Sequence, residues 1–295
     1  MPGELSTRSA NTRQASRVLS LLPGLFLFVA AHATADATKL VYKFAVFPYL
    51  SPEQLEAIYA PMAVDLGRAL ASDIRFRTSS TFPIFAGNLR QQAYDIAFVQ
   101  PFYYTTIAAE AEYVPLARDG PALAGFIVVP QDSPVQSLRD LKGKTLALPP
   151  VKAAVSHLTK IALRQAGLDP ERDVTLNHVP SHTACLQQLV VKKAQACASG
   201  PTGWRIFQKR RPGYARLLMK TPAIPNSLFI VHVRVPEHHR AVLRQTMVSW
   251  HQSDRGRALL QRAQFSQLVP ALDADYDTVR QYWKEILQTC SRDCP

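Results

Sequence analysis

No stretch of this 295-residue sequence is long and apolar enough to cross a bilayer as a helix. Its one long apolar run, Val18 to Ala31, is broken by Pro23 and Gly24 and falls short of the roughly 18 residues a spanning segment needs. The local signatures of common hydrolases and nucleotide-binding enzymes are also missing. There is no G-x-S-x-G elbow, no H-E-x-x-H and no G-x-G-x-x-G. Gly143-Lys144-Thr145 has the ending of a phosphate-cradling loop, but the Gly such a loop needs five residues earlier is Leu138. His182 and Cys185 lie a helical turn apart without a third group to orient them as base and nucleophile. Cysteine is scarce, at four residues, and none has a nearby His at metal-ligand spacing. The chain therefore reads as a protein that is not an enzyme, with no cofactor and no metal site. Internal repeats and low-complexity stretches are absent.

What is present begins with an export signal. Arg8, Arg13 and Arg17 precede the apolar run, and Ala31-His32-Ala33 and Ala33-Thr34-Ala35 offer cleavage sites of the A-x-A type. Residues 1–35 are thus expected to be removed near residue 33 or 35, leaving a soluble periplasmic protein. No Cys follows the run to carry a lipid anchor. In an oxidising compartment cysteines pair by default. Cys290 and Cys294 would close a short terminal loop, whereas Cys185 and Cys197 flank one helix and the strand after it, so their pairing depends on packing.

The 34 basic and 22 acidic residues give a net charge of +12, which falls to about +10 without the three Arg and one Glu of residues 1–35. Basic balance suits nucleic acid, anionic membranes or small anions. Export argues against nucleic acid, and the one dense basic run, Lys209-Arg210-Arg211 beside Pro212-Gly213, reads as a solvated loop. With 47% hydrophobic residues and a soft prior of about 150 residues per domain, the chain is expected to fold as a monomer of two domains.

Residues 40–46 alternate as a strand. Ser51-Pro52-Glu53 opens a helix with Leu55, Ile58, Tyr59, Met62, Leu66 and Leu70 at spacings of three and four, and Pro61 marks a kink or a new start. Strands are predicted at 74–78 and 95–99 with a helix over 85–91 between them. A second series follows: strands at 124–129 and 145–148, a helix in which Val155, Leu158, Ile161 and Ala162 share a face and Gly167 stops the helix, a strand at 174–179, a helix over 182–193 and a strand at 194–199. Strand and helix alternate in both series, which predicts parallel sheet in each half. The segment 222–226 leads into a strand at 228–233, and two helices follow, lined by Leu243, Met247 and Trp250 and by Val279, Tyr282, Trp283 and Ile286.

Six segments in order carry a resemblance: Pro48-Tyr49-Leu50-Ser51-Pro52; Asp95-Ile96-Ala97-Phe98 with Gln100-Pro101 and Tyr104; Asp132-Ser133-Pro134 leading to Asp140-Leu141-Lys142-Gly143-Lys144-Thr145; Ala166-Gly167-Leu168-Asp169-Pro170-Glu171; Ser181-His182; and Ile224-Pro225-Asn226. Over nearly all of the mature chain the sequence resembles the phosphate/phosphite/phosphonate-binding receptors of ABC importers, a branch of the type II periplasmic binding proteins. The resemblance implies an α/β fold of two Rossmann-like lobes, lobe 1 from residues 36–122 and 223–295 and lobe 2 from 123–222, closing on a small anionic solute in the cleft. It implies an ABC permease as partner; the alternative is a sensory protein that docks on a membrane histidine kinase with a different ligand. Helix N-termini at the carboxyl ends of parallel strands suit such a cleft, because their free N–H groups and dipoles favour an anion.

Carried over residue by residue, the resemblance points to Tyr49, Ser80, Thr81, Phe82, Gln100, Tyr104, Lys152, Ser156, Ser181, His182 and Thr183 as ligand contacts. It also marks departures. A Ser-Thr-Ser grip on the phosphonate oxygens is replaced by Ala153-Ala154-Val155, and two family tyrosines correspond to Phe82 and Leu123. Each change removes a hydroxyl, and a hydrogen bond to a charged group contributes about 1.5–3 kcal/mol. Of the expected grip His182 remains, and at a helix start it is expected to act on an anion as an imidazolium or N–H donor, with affinity falling as pH rises past its pKa.

Overall fold

The computed structural model describes residues 40–289. The expected export segment, residues 1–35, and the expected pairing of Cys290 with Cys294 lie outside the described residues. Eleven strands and nine α-helices follow in this order among the described residues: β1 (Val41–Val46), α1 (Pro52–Ala69), β2 (Asp73–Thr78), α2 (Phe82–Arg90), β3 (Ile96–Val99), α3 (Pro101–Tyr103), β4 (Tyr113–Asp119), β5 (Phe126–Pro130), β6 (Thr145–Leu148), α4 (Ala154–Gln165), β7 (Thr175–His178), α5 (His182–Val190), β8 (Ala196–Ser199), α6 (Pro201–Arg210), β9 (Ala215–Lys220), β10 (Leu228–His232), α7 (Glu237–Ser249), α8 (Asp254–Ala263), β11 (Leu268–Pro270) and α9 (Asp277–Thr289). None of the described helices is long and apolar enough to cross a membrane.

Local chemistry sets the helix starts. Ser51 caps α1, accepting from the Gln54 N–H while the Gln54 side chain reaches back to the Ser51 N–H, and Pro52 takes a first-turn position where a missing N–H costs nothing. Leu55, Tyr59, Met62 and Leu66 then bury one face, and Pro61 lies within the continuous helix rather than starting a new one. Thr81, Ser181 and Ser253 cap α2, α5 and α8 in the same way. Gly167 ends the α4 segment at φ +83°, a left-handed conformation that L side chains resist.

Two sheets result, with strand orders β11-β4-β10-β3-β1-β2 and β7-β6-β8-β5-β9. In each, three strands are parallel: β2, β1 and β3 in the first, and β7, β6 and β8 in the second. The expectation of parallel sheet throughout is corrected. β10 runs antiparallel to β3 and β4, and β5 antiparallel to β8 and β9. Each of these strands enters its sheet from the other half of the chain, where direction is not set by a βαβ crossover. β4, β9 and β11 were not predicted. In β4, Pro115 has no N–H to give a ladder, and the register with β10 shifts beside it. β9, with Arg216 and Lys220 in its six residues, is an edge strand.

The two segments joining the sheets meet in a bridge: Leu123 donates to the Ile224 carbonyl at 2.8 Å, and Ile224 to that of Leu123 at 2.9 Å. Helix α4 also ties the sheets together. Leu158 and Ile161 enter the core of the first sheet and Val155, Ala162 and Leu163 that of the second, so the single apolar face expected for this helix is two faces. Cys185 on α5 and Cys197 on β8 form a disulfide inside the second half, with Cα atoms 5.8 Å apart. Lys209 and Arg210 belong to the last turn of α6 rather than a loop, and the Arg211 guanidinium lies 5.9 Å from the centre of the Tyr214 ring.

Candidate functional site

A cavity of about 450 Å³ is lined by residues of both halves. The first half contributes Phe47 and Tyr49 after β1, Phe82 at the start of α2, Phe98 on β3 and the 263–266 segment at the end of α8. The second half contributes three helix starts at the carboxyl ends of parallel strands: Ala153–Val155 of α4 after β6, His182 of α5 after β7, and Gly200–Gly203 of α6 after β8. This is the strand-end geometry in which α/β folds present backbone donors to a ligand.

The starts of α4 and α6 differ from those of α2 and α5. Ala153 and Gly200 have no side chain able to accept from the first-turn N–H groups, and neither helix carries a side-chain cap. Both open on the cavity, and Arg205, one turn into α6, also lines it. The Arg205 guanidinium donates to Oε1 of Gln264 at 3.2 Å, joining α6 to the residue that ends α8 in the first half. His182 is the first residue of α5, and its ring meets the start of α6. Its Nδ1 accepts from the Gly200 N–H at 3.0 Å, so a neutral ring carries its proton on Nε2. Burial pushes its pKa down to about 4. Of the two expected forms, imidazolium and N–H donor, this favours the neutral N–H donor. A side chain on Gly203 would stand 2.7 Å from the Ser199 hydroxyl and 3.0 Å from the His182 Cβ, so this approach requires a glycine.

Of the expected contacts, Tyr49, Phe82, Gln100 and His182 line the cavity. The Tyr49 hydroxyl is paired with that of Tyr59 at 2.9 Å, and burial raises its pKa to about 12. Gln100 accepts from the Phe102 N–H and donates to the Lys152 carbonyl at 3.3 Å, which makes it a brace between the halves. The remaining expected residues lie elsewhere. Ser80, Thr81, Ser181 and Thr183 do not line the cavity; Thr81 and Ser181 spend their hydroxyls as caps. The Ser156 hydroxyl is buried and donates to the carbonyls of Pro149 and Pro150. Tyr104 is corrected outright: its buried ring packs on Tyr276 and its hydroxyl donates to Asp273 at 2.5 Å. Lys152 lines a separate cavity of about 210 Å³ together with Arg90, His157 and Trp283. Among the described residues no group of three or more His, Cys, Asp or Glu is placed to hold a metal ion.

Sequence reasoning missed Asp119, Arg205, Asn226, Phe265 and Ser266. Asp119 accepts from the Ser266 N–H and hydroxyl at 3.2 and 3.3 Å and from the Asn226 amide at 3.3 Å, while burial raises its pKa. Arg205 was within reach, because Gly200-Pro201 after a strand, with Pro at the first helical position, signals a helix start. Phe265 and Ser266 reach the cavity only through the return of the chain and leave no local signal.

A family model described as "ABC transporter, phosphonate, periplasmic substrate-binding protein" matches residues 44–276. Among solved structures, a binding-protein component of an ABC phosphonate transporter from Pseudomonas aeruginosa shares 14% identity, covering 86% of this chain and 90% of its own at a TM-score of 0.73. PhnD1 from Prochlorococcus marinus in complex with methylphosphonate is also 14% identical, covering 85% and 99% at 0.76. The periplasmic aliphatic sulphonate binding protein SsuA from Escherichia coli is 16% identical, covering 85% and 94% at 0.62. These likenesses show the type II periplasmic-binding-protein fold. No curated protein matches the sequence.

Proposed function

The chain belongs to the phosphonate family of periplasmic substrate-binding proteins of ABC transporters, a family of transport components rather than enzymes, and from that premise we propose that it binds a small anionic solute in the cavity between its sheets and presents it to a membrane permease. One observation carries the reading: α4 and α6 both start on the cavity without a side-chain cap, with Arg205 beside them. Unsatisfied first-turn N–H groups and the positive ends of two helix dipoles favour an anion, and the guanidinium adds a planar donor array. The neutral His182 supplies a further N–H donor.

In this reading the described residues of lobe 1, 40–122 with 223–289, move as one body and 123–222 as the other, flexing at the Leu123–Ile224 bridge. The Arg205–Gln264 and Gln100–Lys152 bonds are the contacts that opening breaks. Export by the 1–35 segment would place the protein in the periplasm. The test is a thermal-shift screen of the mature protein with phosphate, phosphite, alkylphosphonates and sulfonates. A ligand at a hundredfold excess over its Kd stabilises the fold by about 2.7 kcal/mol. Arg205→Met should abolish most of the shift without lowering the Tm of the free protein. A shift that survives Arg205→Met unchanged contradicts the assignment.

A further inference from the structure

The wall opposite the helix starts is aromatic. Phe47 lies 4.9 Å from Tyr49, 6.0 Å from Phe82 and 5.7 Å from Phe98 between ring centres, and Phe98 lies 5.5 Å from Phe265. All five rings line the cavity, and across from them stand Ala153, Ala154 and Val155. Of the five rings only Tyr49 carries a hydroxyl, which Tyr59 holds, and the hydroxyl of Ser266 beside Phe265 is held by Asp119. The wall therefore has no free donor for an oxyanion, and the donors gather at the α4 and α6 starts.

Size points the same way. At about 30 Å³ for each water in the liquid, the 450 Å³ cavity holds far more than a bare phosphate or sulfate. It falls within the roughly 300–1,000 Å³ of pockets that enclose organic ligands. Filled by a compact, strongly hydrated anion, it would leave the aromatic wall wetted. Filled by an apolar body, it would release that water and bring ring edges and faces into contact.

We propose that the solute is an organic anion with an aromatic body, its oxyanion head at the starts of α4 and α6 and its ring against the wall that runs from Tyr49 to Phe265. This rests on the anion-site reading above. Phe82 and Phe265 are the specificity-determining residues accessible to substitution, because both are only partly buried.

Calorimetric titration of the mature protein with phenylphosphonate, methylphosphonate, benzenesulfonate and phosphate tests the proposal. Phenylphosphonate is expected to bind at least about tenfold tighter than methylphosphonate, the lower end of what one added apolar group contributes in a fitted pocket. Phe82→Ala and Phe265→Ala should each narrow that ratio. Equal affinity for the two phosphonates overturns the aromatic body and leaves the anion site standing. Failure of all four anions to bind overturns the anion site itself. If a variant does not fold, the wild-type ratio alone decides.

Discussion

The Gly200 backbone N–H donates to Nδ1 of His182 at 3.0 Å, and with burial this bond fixes which proton the ring can offer a ligand. The ring is neutral above a pKa of about 4 and presents Nε2–H. Affinity for benzenesulfonate, which does not titrate near neutrality, should therefore be flat between pH 5 and 8, the window in which an ordinary His changes charge. His182→Ala should cost roughly 1.5–3 kcal/mol of binding. Calorimetry across that window decides, and affinity that climbs as pH falls toward 5 would show an imidazolium at the site.

Acid should destabilise the fold through the same chemistry. His157, packed between Phe102 at 4.7 Å and Trp283 at 5.6 Å, has its pKa pushed down to about 3, first by burial and then by Lys160, His178 and Lys152. For a His whose folded pKa is lowered, the unfolded chain binds the proton more readily. Stability is then full above the unfolded value near 6.5 and lost as pH falls toward 4 for His182 and 3 for His157. The slope should reach up to about 1.4 kcal/mol per pH unit for each ring. His157→Phe should flatten the curve in urea titrations from pH 7 to 4; an unchanged slope would remove His157 from the explanation.

The Cys185–Cys197 disulfide closes a short loop within the second half. Cross-linking a loop of this length restrains the unfolded chain by about 3 kcal/mol. Cys185→Ala with Cys197→Ala should lower the unfolding free energy by that order under oxidising conditions. Reductant should lower the wild type to the same level. A double variant as stable as the oxidised wild type would mean that the bond contributes nothing.

The series of strands and helices through β1–β3 and β6–β8 was legible because period-two and period-3.6 apolar patterns, Gly167 and the Ser51 cap are all local. The return strands were legible as strands but not in direction, since β5 and β10 are inserted from the opposite half. β4 was hidden because Pro115 interrupts it and the charged Arg118 and Asp119 end it, which breaks the apolar alternation of a strand. The same division holds at the site. The absence of hydroxyls at Ala153–Val155 and the helix start at His182 were visible as sequence; the opposition of those helix starts to Phe47, Phe98 and Phe265 is tertiary. Tyr104 misled because its neighbours match the family run, whereas its hydroxyl is turned to Asp273.

The Ala153-Ala154-Val155 run makes the departure from a hydroxyl grip testable in reverse. Ala153→Ser with Ala154→Thr and Val155→Ser places hydroxyls at a helix start that already faces the cavity. Each new bond to a charged oxygen contributes about 1.5–3 kcal/mol, so methylphosphonate affinity should rise at least about tenfold in calorimetric titration. Affinity that stays level in a folded variant would mean the anion head is held elsewhere.

Amide hydrogen exchange read by mass spectrometry, with and without saturating phenylphosphonate, tests the central claim most directly. The account expects slowed exchange in the peptides covering Ala154–Val155 and Thr202–Gly203, where two helix starts would donate to the bound anion. The 263–266 segment across the cavity should slow with them. Binding heat accompanied by unchanged exchange at both helix starts would contradict the account.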